Sequence, residues 1–564
     1  MATELSAVAE PPAKDTTGST ASLFPESAPS SDSTLSRGGG ALSSEPEIDI
    51  FSLRNCGFLL QYFSVGLIYG GLPATLYGFF LGYLAVPAHV YSTVRVIVVL
   101  PWSFKFAFGL LNDTRPLLGY RRKPYMVIGW ACCSAMLLLL AVMPLPEPYW
   151  CLTDDGLAHN TTAPPCNPHA SKEGGFYATL MMLAALGYVV ADVAADGLTV
   201  EFARREPAHR RGRTQTTAYM VRTVAVSIAN LLVGFGMNGP EYNGTFASGL
   251  SFSAICAILA VPSALMVPVS WLLIDETRGA AVSSTRKYLE VTWTLLRSRA
   301  MFQVVLFQFC GAAIFSIQTP ATGLVKEYFA GVKNLQANLF GLAGNLLFVV
   351  GLWAVRKHGL HYDWRWLLFG SQAVLQFLDM PFQLLTIYGI VRNQYFYLGE
   401  TFLTEIPDGV NFVVSTFVIV EMAESGNEGL VYGLLTTTYN LGSPFGRALG
   451  NQIYAAFEPS LDDAQNYVGD SATFRNTVAA SFALSYFFAF AAQLTLLLLP
   501  GQKEEAQRRK RMWPRRTRYA VISVVLVAVA LAYSLTINFL SVSEATQCLR
   551  IVGGHGCEEE GEET

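Results

Sequence analysis

Charged side chains are scarce in this chain. They make up 14% of its 564 residues, against roughly 25% in an average soluble domain. That deficit excludes a nucleic-acid binder, a coiled coil and a disordered protein. It also leaves too little charge to cover the surfaces of a large soluble enzyme. No GxxxxGK phosphate loop occurs. None of the seven histidines (His89, His159, His169, His209, His358, His361 and His555) pairs with another at the i, i+4 spacing of a helical zinc site. Gly234-Phe-Gly236-Met-Asn-Gly239 matches GxGxxG in form, but it ends an apolar run instead of following a strand. No catalysis, cofactor, metal or nucleic-acid partner is therefore expected. The first ~46 residues lack the short apolar core of a cleaved signal peptide, so the first membrane helix is expected to direct insertion. What the chain does have is 52% hydrophobic and 12% aromatic residues. Together these point to an all-α polytopic membrane protein.

A hydrocarbon core of ~30 Å needs about 20 helical residues. Apolar stretches of that length place spans near 53–78, 91–111, 124–144, 175–199, 217–237, 250–274, 301–324, 338–355, 365–388, 395–420, 430–456 and 475–499. A thirteenth, 519–541, carries no charge. The expected organisation is a disordered tail at 1–50, a six-helix bundle at 51–274, a link at 275–300 and a second six-helix bundle at 301–499. A basic segment at 500–518, the extra transmembrane helix at 519–541 and an acidic tail at 542–564 complete it.

The positive-inside rule orients these spans. With a cytoplasmic amino terminus, 25 basic residues fall in the inside links, among them Arg121, Arg122, Arg205, Arg210, Arg211, Arg356, Lys357 and the Lys503–Arg518 segment. Only 6 fall outside: Lys172, Lys326, Lys333, Arg392, Arg475 and Arg550. Asn160-Thr-Thr and Asn243-Gly-Thr are glycosylation acceptor sequences in the predicted outside loops, and the plasma membrane is the expected location. Cys151 and Cys166 share one outside loop, and Cys548 and Cys557 lie beyond the last span, so disulfides are permitted at both places.

Charges inside spans cost roughly 2.5 to 3.5 kcal/mol each and mark functional candidates. Asp192-Val-Ala-Ala-Asp196 places two carboxylates on one helix face. Repulsion opposes double ionisation, which suits a proton carrier. Lys105 follows a possible kink at Pro101, and Arg222 lies in the next span after the carboxylates. Arg95, near the outer end of its span, reads as a snorkelling side chain. In the second half Asp379, Glu400, Glu405, Asp408 and Arg447 stand beside Pro and Gly residues that invite local unwinding. The plainer alternative for each is a structural ion pair. Between spans two and three, Gly109-Leu-Leu-Asn-Asp113-Thr-Arg-Pro-Leu-Leu-Gly119-Tyr-Arg121-Arg122-Lys123 joins an Asp at a helix end to a basic cluster. Asp113 with Arg121 and Arg122 can act as a latch, or the cluster can simply anchor the topology.

Six spans, a link and six more resemble the major facilitator organisation, whose cytoplasmic gate the Gly109–Lys123 stretch also resembles. Pro101-Trp-Ser-Phe-Lys105-Phe-Ala-Phe-Gly109, Gly119-Tyr-Arg-Arg-Lys123 and Asp192-Val-Ala-Ala-Asp196-Gly-Leu-Thr-Val-Glu201 resemble the folate–biopterin transporter family. Phe106 replaces the family's usual Pro. The resemblance implies a secondary active transporter of folates, pterins or another organic anion, coupled to protons and working by alternating access. Lys105, Arg222 or Arg447 would hold substrate carboxylates, and Trp102, Phe106 or Tyr219 would face flat rings. Two other readings stay open. One is a carrier of sugars or amino acids. The other is a transporter-derived sensor or scaffold, whose basic Lys503–Arg518 segment meets anionic membrane lipid.

Overall fold

The computed structural model describes residues 49–204, 213–276, 278, 284–355, 358, 362–422 and 428–557. The expected amino-terminal tail, Arg205, His209, Arg210, Arg211, Arg356, Lys357, His361 and the last residues of the acidic tail lie outside that set. Among the described residues there are helices and three isolated bridges, but no strand. The first half comprises α1 (Cys56–Leu76), α2 (Ala88–Ile97), α3 (Lys105–Thr114), α4 (Lys123–Val142), α5 (Gly174–Arg204), α6 (Arg213–Gly236) and α7 (Phe252–Leu272). The link carries α8 (Thr285–Leu296). The second half comprises α9 (Arg299–Phe315), α10 (Thr322–Leu324), α11 (Asn334–Ala354), α12 (Trp364–Ile387), α13 (Gln394–Met422), α14 (Glu428–Tyr454), α15 (Ala464–Gly469) and α16 (Ala472–Ala492). Basic α17 (Lys503–Met512) and apolar α18 (Thr517–Val542) follow.

Eight of the described helices are long and apolar enough to cross a membrane, and a ninth if α2 and the Leu100–Thr114 stretch count as one span bent by 42°. The thirteen spans expected above outnumber these helices. The physical reason is polarity. The 17-residue α9 is short. Helices α12, α13 and α14 have 24, 29 and 27 residues but carry the charged and amide side chains that line the interior. Helix α18, with 26 residues, is long and apolar enough to cross.

The expected unwinding at Pro407 and Pro444 does not occur. Both prolines sit inside continuous helices, because a membrane helix tolerates proline where neighbours take up the freed backbone groups. At this turn Asn538 Nδ2 on α18 donates to the Pro444 carbonyl at 3.2 Å, which ties α18 to α14. Breaks fall elsewhere. Helix α1 continues as a π-helical turn over Tyr77–Tyr83, α2 bends before Pro101, and α9 stops at Phe315 before the chain restarts at Thr322.

Small residues let the helices cross closely, as apolar solvent gives no other driving force. A Cβ on Gly129 of α4 would stand 2.5 Å from the Gly187 carbonyl oxygen on α5. Gly66 of α1 abuts the backbone carbonyl of Arg222 on α6, and Gly70 meets Val226 one turn away. The latter crossing fixes where the Arg222 side chain starts.

The halves meet mainly at the end that carries two disulfides, Cys151–Cys166 and Cys548–Cys557. There Tyr77 donates to the Val332 carbonyl at 2.6 Å, Asn334 Nδ2 to the Met237 carbonyl at 2.7 Å, and Trp150 Nε1 to Tyr328 at 3.1 Å. Asn451 Nδ2 reaches Thr93 Oγ1 at 2.9 Å. His89 bonds Asp462 twice, through its backbone N–H and through Nδ1, both at 2.9 Å, and its Nε2 lies 3.0 Å from the Gln547 carbonyl. Asp462 and Gln547 both offer acceptors, so His89 satisfies them together only when both ring nitrogens carry protons. The end of α18 and the segment after it join this closure. Thr93 meets Ser541 at 3.0 Å, Val542 packs on Gly175, and His555 approaches Asp462 at 3.3 Å.

Burial pulls the Asp462 carboxyl upward, but the His89 charge and the hydrogen bonds from His555 and His89 outweigh it and hold it below its ordinary value. The hydrogen bond to Asp462 raises His555 against its burial; the charges of Asp462 and Glu458 add to the rise, and that of Arg550 opposes it. A raised histidine stabilises the fold fully below its unfolded value of about 6.5 and stops doing so as pH rises through its folded value. A lowered carboxylate stabilises above about 3.9 and stops as pH falls through its folded value. The contact is therefore strongest between these limits. Raising pH from ~6 to ~8.5 should lower the protection of amides in residues 543–557, measured as the intrinsic exchange rate at each pH divided by the observed rate, and Asp462→Asn should flatten that dependence. Protection that is insensitive to pH in the unsubstituted protein would contradict the assignment.

Candidate functional site

Two stretches of chain bring the first charges together. Pro101 opens a tight 3-10 turn over Leu100–Phe104, and Lys105 is the first residue of α3 beyond it. Helix α5 runs unbroken through Tyr188, Asp192 and Asp196, which share one face at successive turns. Lys105 Nζ lies 3.0 Å from Asp192 Oδ2 and 2.9 Å from Asp196 Oδ2. Arg222 Nη1 stands 4.0 Å from the other Asp192 oxygen. The Asp192 side chain is fully buried, whereas that of Asp196 is 31% exposed. One carboxylate is thus sealed between two cations, and its neighbour opens toward solvent.

Aromatic rings surround these charges. Lys105 Nζ sits 4.4 Å from the Trp102 ring centroid, and the Arg222 guanidinium lies 4.6 Å from Tyr69 and 5.3 Å from Trp102. Such contacts stabilise a desolvated cation by up to ~2 kcal/mol. Trp102 Nε1 donates to Tyr188 at 3.0 Å. Tyr62 donates to Asp196 Oδ1 at 3.0 Å and lies 2.7 Å from Thr199 Oγ1. Tyr219 is 39% exposed with its ring 6.2 Å from Tyr62, at the open side of the cluster. Phe106 points its backbone N–H at Thr437 Oγ1 of the second half, 3.1 Å away.

Four of the residues singled out in the sequence therefore meet: Lys105, Asp192, Asp196 and Arg222. Arg447 does not join them. Its Nη2 donates to Gln318 Oε1 at 2.7 Å. Asp379 is also separate, accepting from Gln383 at 2.9 Å and Tyr486 at 2.8 Å. Glu400 is buried and accepts from Thr401, while Asp408 is exposed. Tyr62, Tyr69 and Tyr188 were missed. Tyr188 had a signal, since it precedes Asp192 by the same four residues that separate Asp192 from Asp196. Tyr62 and Tyr69 had only their shared face on α1.

At the basic end Arg122 Nη2 donates to Asp113 Oδ1 at 2.7 Å, and Arg121 pairs with Glu201 on α5. Gly197 lies against the Arg122 guanidinium, so α5 carries both the charge cluster and the floor of this contact. Glu276 caps the start of α4, accepting from the backbone N–H groups of Arg121, Arg122 and Lys123 at 2.8, 2.9 and 2.9 Å. A carboxylate suits a helix amino terminus. Glu276 could not be found by motif, because it approaches from the far side of the first half.

At the other end Asn160 accepts from Thr162 Oγ1 at 2.8 Å within its own loop. Asn243 takes a positive φ of 54° and accepts from Lys333 of the second half. Its amide is therefore engaged at the seam, unlike that of Asn160.

Two helical bundles around a buried cluster of opposite charges define a membrane transporter of the major facilitator fold. A D-xylose–proton symporter superposes with a TM-score of 0.55 at 11% identity, over 79% of this chain and 98% of that one. A variant of the nucleoside transporter NupG superposes with a TM-score of 0.52 at 13% identity, over 79% and 100%. Residues 69–149 and 168–507 match the BT1 family, and this chain belongs to it. Its relatives include a folate-biopterin transporter of Synechocystis sp., 22% identical over 70% of this chain and 73% of that protein. Folate transporter 1 of Plasmodium falciparum is 21% identical over 62% and 63%.

Asp192 depends on Lys105 for neutralisation. Removing one partner of a buried pair costs about 3–5 kcal/mol. Lys105→Met should lower the melting temperature of the purified protein sharply, and adding Asp192→Asn should recover part of the loss. A double variant as unstable as the sum of the two single ones would mean the pair is not coupled.

Proposed function

We propose that this protein is a secondary active transporter that moves a folate, a pterin or a related organic anion together with protons, by alternating access between its two halves. The observation that carries this reading is the Lys105–Asp192–Asp196–Arg222 cluster. Two carboxylates share one lysine, so protonating Asp196, the partly exposed one, releases Lys105 from half of its neutralisation. The freed ammonium then has capacity for a substrate carboxylate. Asp192 stays between Lys105 and Arg222 and sets how strongly the lysine is held. Trp102 and Tyr219 offer ring faces beside these charges. Asp113 with Arg121 and Arg122 acts as a latch at the basic end, which faces the cytoplasm together with the amino terminus. Asn160 is the better glycosylation acceptor of the two, and Cys151–Cys166 staples its loop. The plasma membrane is the proposed location.

Uptake of radiolabelled folic acid and biopterin by cells expressing the protein, with an imposed inward pH gradient, tests this. Uptake should rise with the gradient. Asp196→Asn and Asp192→Asn should lose that dependence. Gradient-driven uptake that survives in both variants would remove the proton role, and absence of uptake of either compound by surface-expressed protein would remove the substrate assignment.

A further inference from the structure

A second set of cations lies nearer the disulfide end, and among the described residues none of them is ion-paired to a carboxylate. Arg95 is on α2, Lys326 on the turn that follows α10, and Arg447 on α14. A Cβ on Gly323 would stand 2.8 Å from the Tyr91 ring, so this part of the second half packs directly on α2. Arg95 is one helical turn beyond Tyr91, and Lys326 is nearly one turn beyond Gly323. Asn451, one turn beyond Arg447 on α14, donates to Thr93 Oγ1 at 2.9 Å and to the His89 carbonyl at 3.1 Å, so α14 packs on α2 as well. Arg95 is exposed, whereas its neighbours Val94 and Val96 are buried.

The partners these cations do have are neutral. Lys326 Nζ lies 4.4 Å from the Tyr77 ring centroid, and Arg447 donates to Gln318 Oε1. Among the described residues none of the three forms an ion pair. Glu327, the next residue after Lys326, is buried; its charge interacts with Lys333 and Lys326 without an ion pair to the latter, and Asn243 hydrogen-bonds it. Three like charges held together in a membrane protein raise one another's energy. The first cluster, by contrast, is neutralised within itself.

We propose that Arg95, Lys326 and Arg447 form an anion subsite for a dicarboxylate-bearing substrate end, whose flat ring lies toward Trp102 and Lys105. The inference rests on the transport reading above and sharpens its substrate class. Arg95 and Lys105 are ten residues apart along the bent second span, roughly 15 Å at helical rise. An elongated molecule with a ring at one end and carboxylates at the other spans that distance. Two halves contribute to the subsite, so its full charge assembles only when the disulfide end is closed.

The test uses the full chain purified in nanodiscs, with folic acid (ring and two carboxylates), biopterin (ring alone) and glutarate (two carboxylates alone). Glutarate should raise the melting temperature of the unsubstituted protein, whereas uncharged glutaramide should not. Arg95→Gln, Lys326→Gln and Arg447→Gln should each abolish the glutarate effect and lower the folic acid to biopterin affinity ratio about tenfold or more. Without ligand, the same variants should melt no lower than the parent, because each removes a repelling charge. Arg447→Lys keeps the charge and should keep part of the glutarate effect. No glutarate effect in the unsubstituted protein, or a full effect in all three variants, overturns the subsite. Should neither folic acid nor biopterin bind, the substrate reading falls, and the glutarate titration still decides the subsite by itself.

Discussion

The structure depends on how a low-dielectric interior treats charge. An ion removed from water must find a partner, a neutral donor set or a ligand. Asp192 finds Lys105 and Arg222 and is completely buried. That pairing draws α3, α5 and α6 to one point, and the glycine contacts of α1 against α6 and of α4 against α5 allow the approach. The aromatic rings of Tyr69 and Trp102 fill the remaining surface around the cations. Helix packing and charge neutralisation are therefore one requirement in the first half. Neither can be changed without the other.

The seam between the halves answers the same constraint differently. Arg447 leans on an amide and Lys326 on a ring, and Arg95 of α2 is exposed. This asymmetry follows from the elements that carry them. Helix α5 presents carboxylates at helical spacing, whereas α10 and α14 present none toward the seam. The two halves share an outline but not an electrostatic design.

Much of the first cluster was legible in the sequence. The i, i+4 carboxylates follow from the period of the helix alone, and Lys105 stood out as a charge within an apolar run. Its partner could be guessed because few opposite charges were available. The class of protein followed from the scarcity of charge and from Pro101–Lys105 and Asp192–Asp196. Other features were hidden because they depend on contacts distant in sequence. Glu276 caps α4 across about 150 residues, a relation that no local pattern encodes. Proline misled for a related reason. Its local cost is predictable, but the packing that keeps α13 and α14 continuous through Pro407 and Pro444 comes from other helices.

The helix beyond the second bundle has a mechanical consequence. Helix α18 bonds to α14 through Asn538 and to α2 through Ser541, and its carboxyl end packs on α5 at Gly175. It is anchored on both sides of the seam. Two rigid bodies joined at a seam form a simple lever, with a single degree of freedom. A third body pinned to both makes a linkage, in which relative rotation must stretch, slide or unpin one joint.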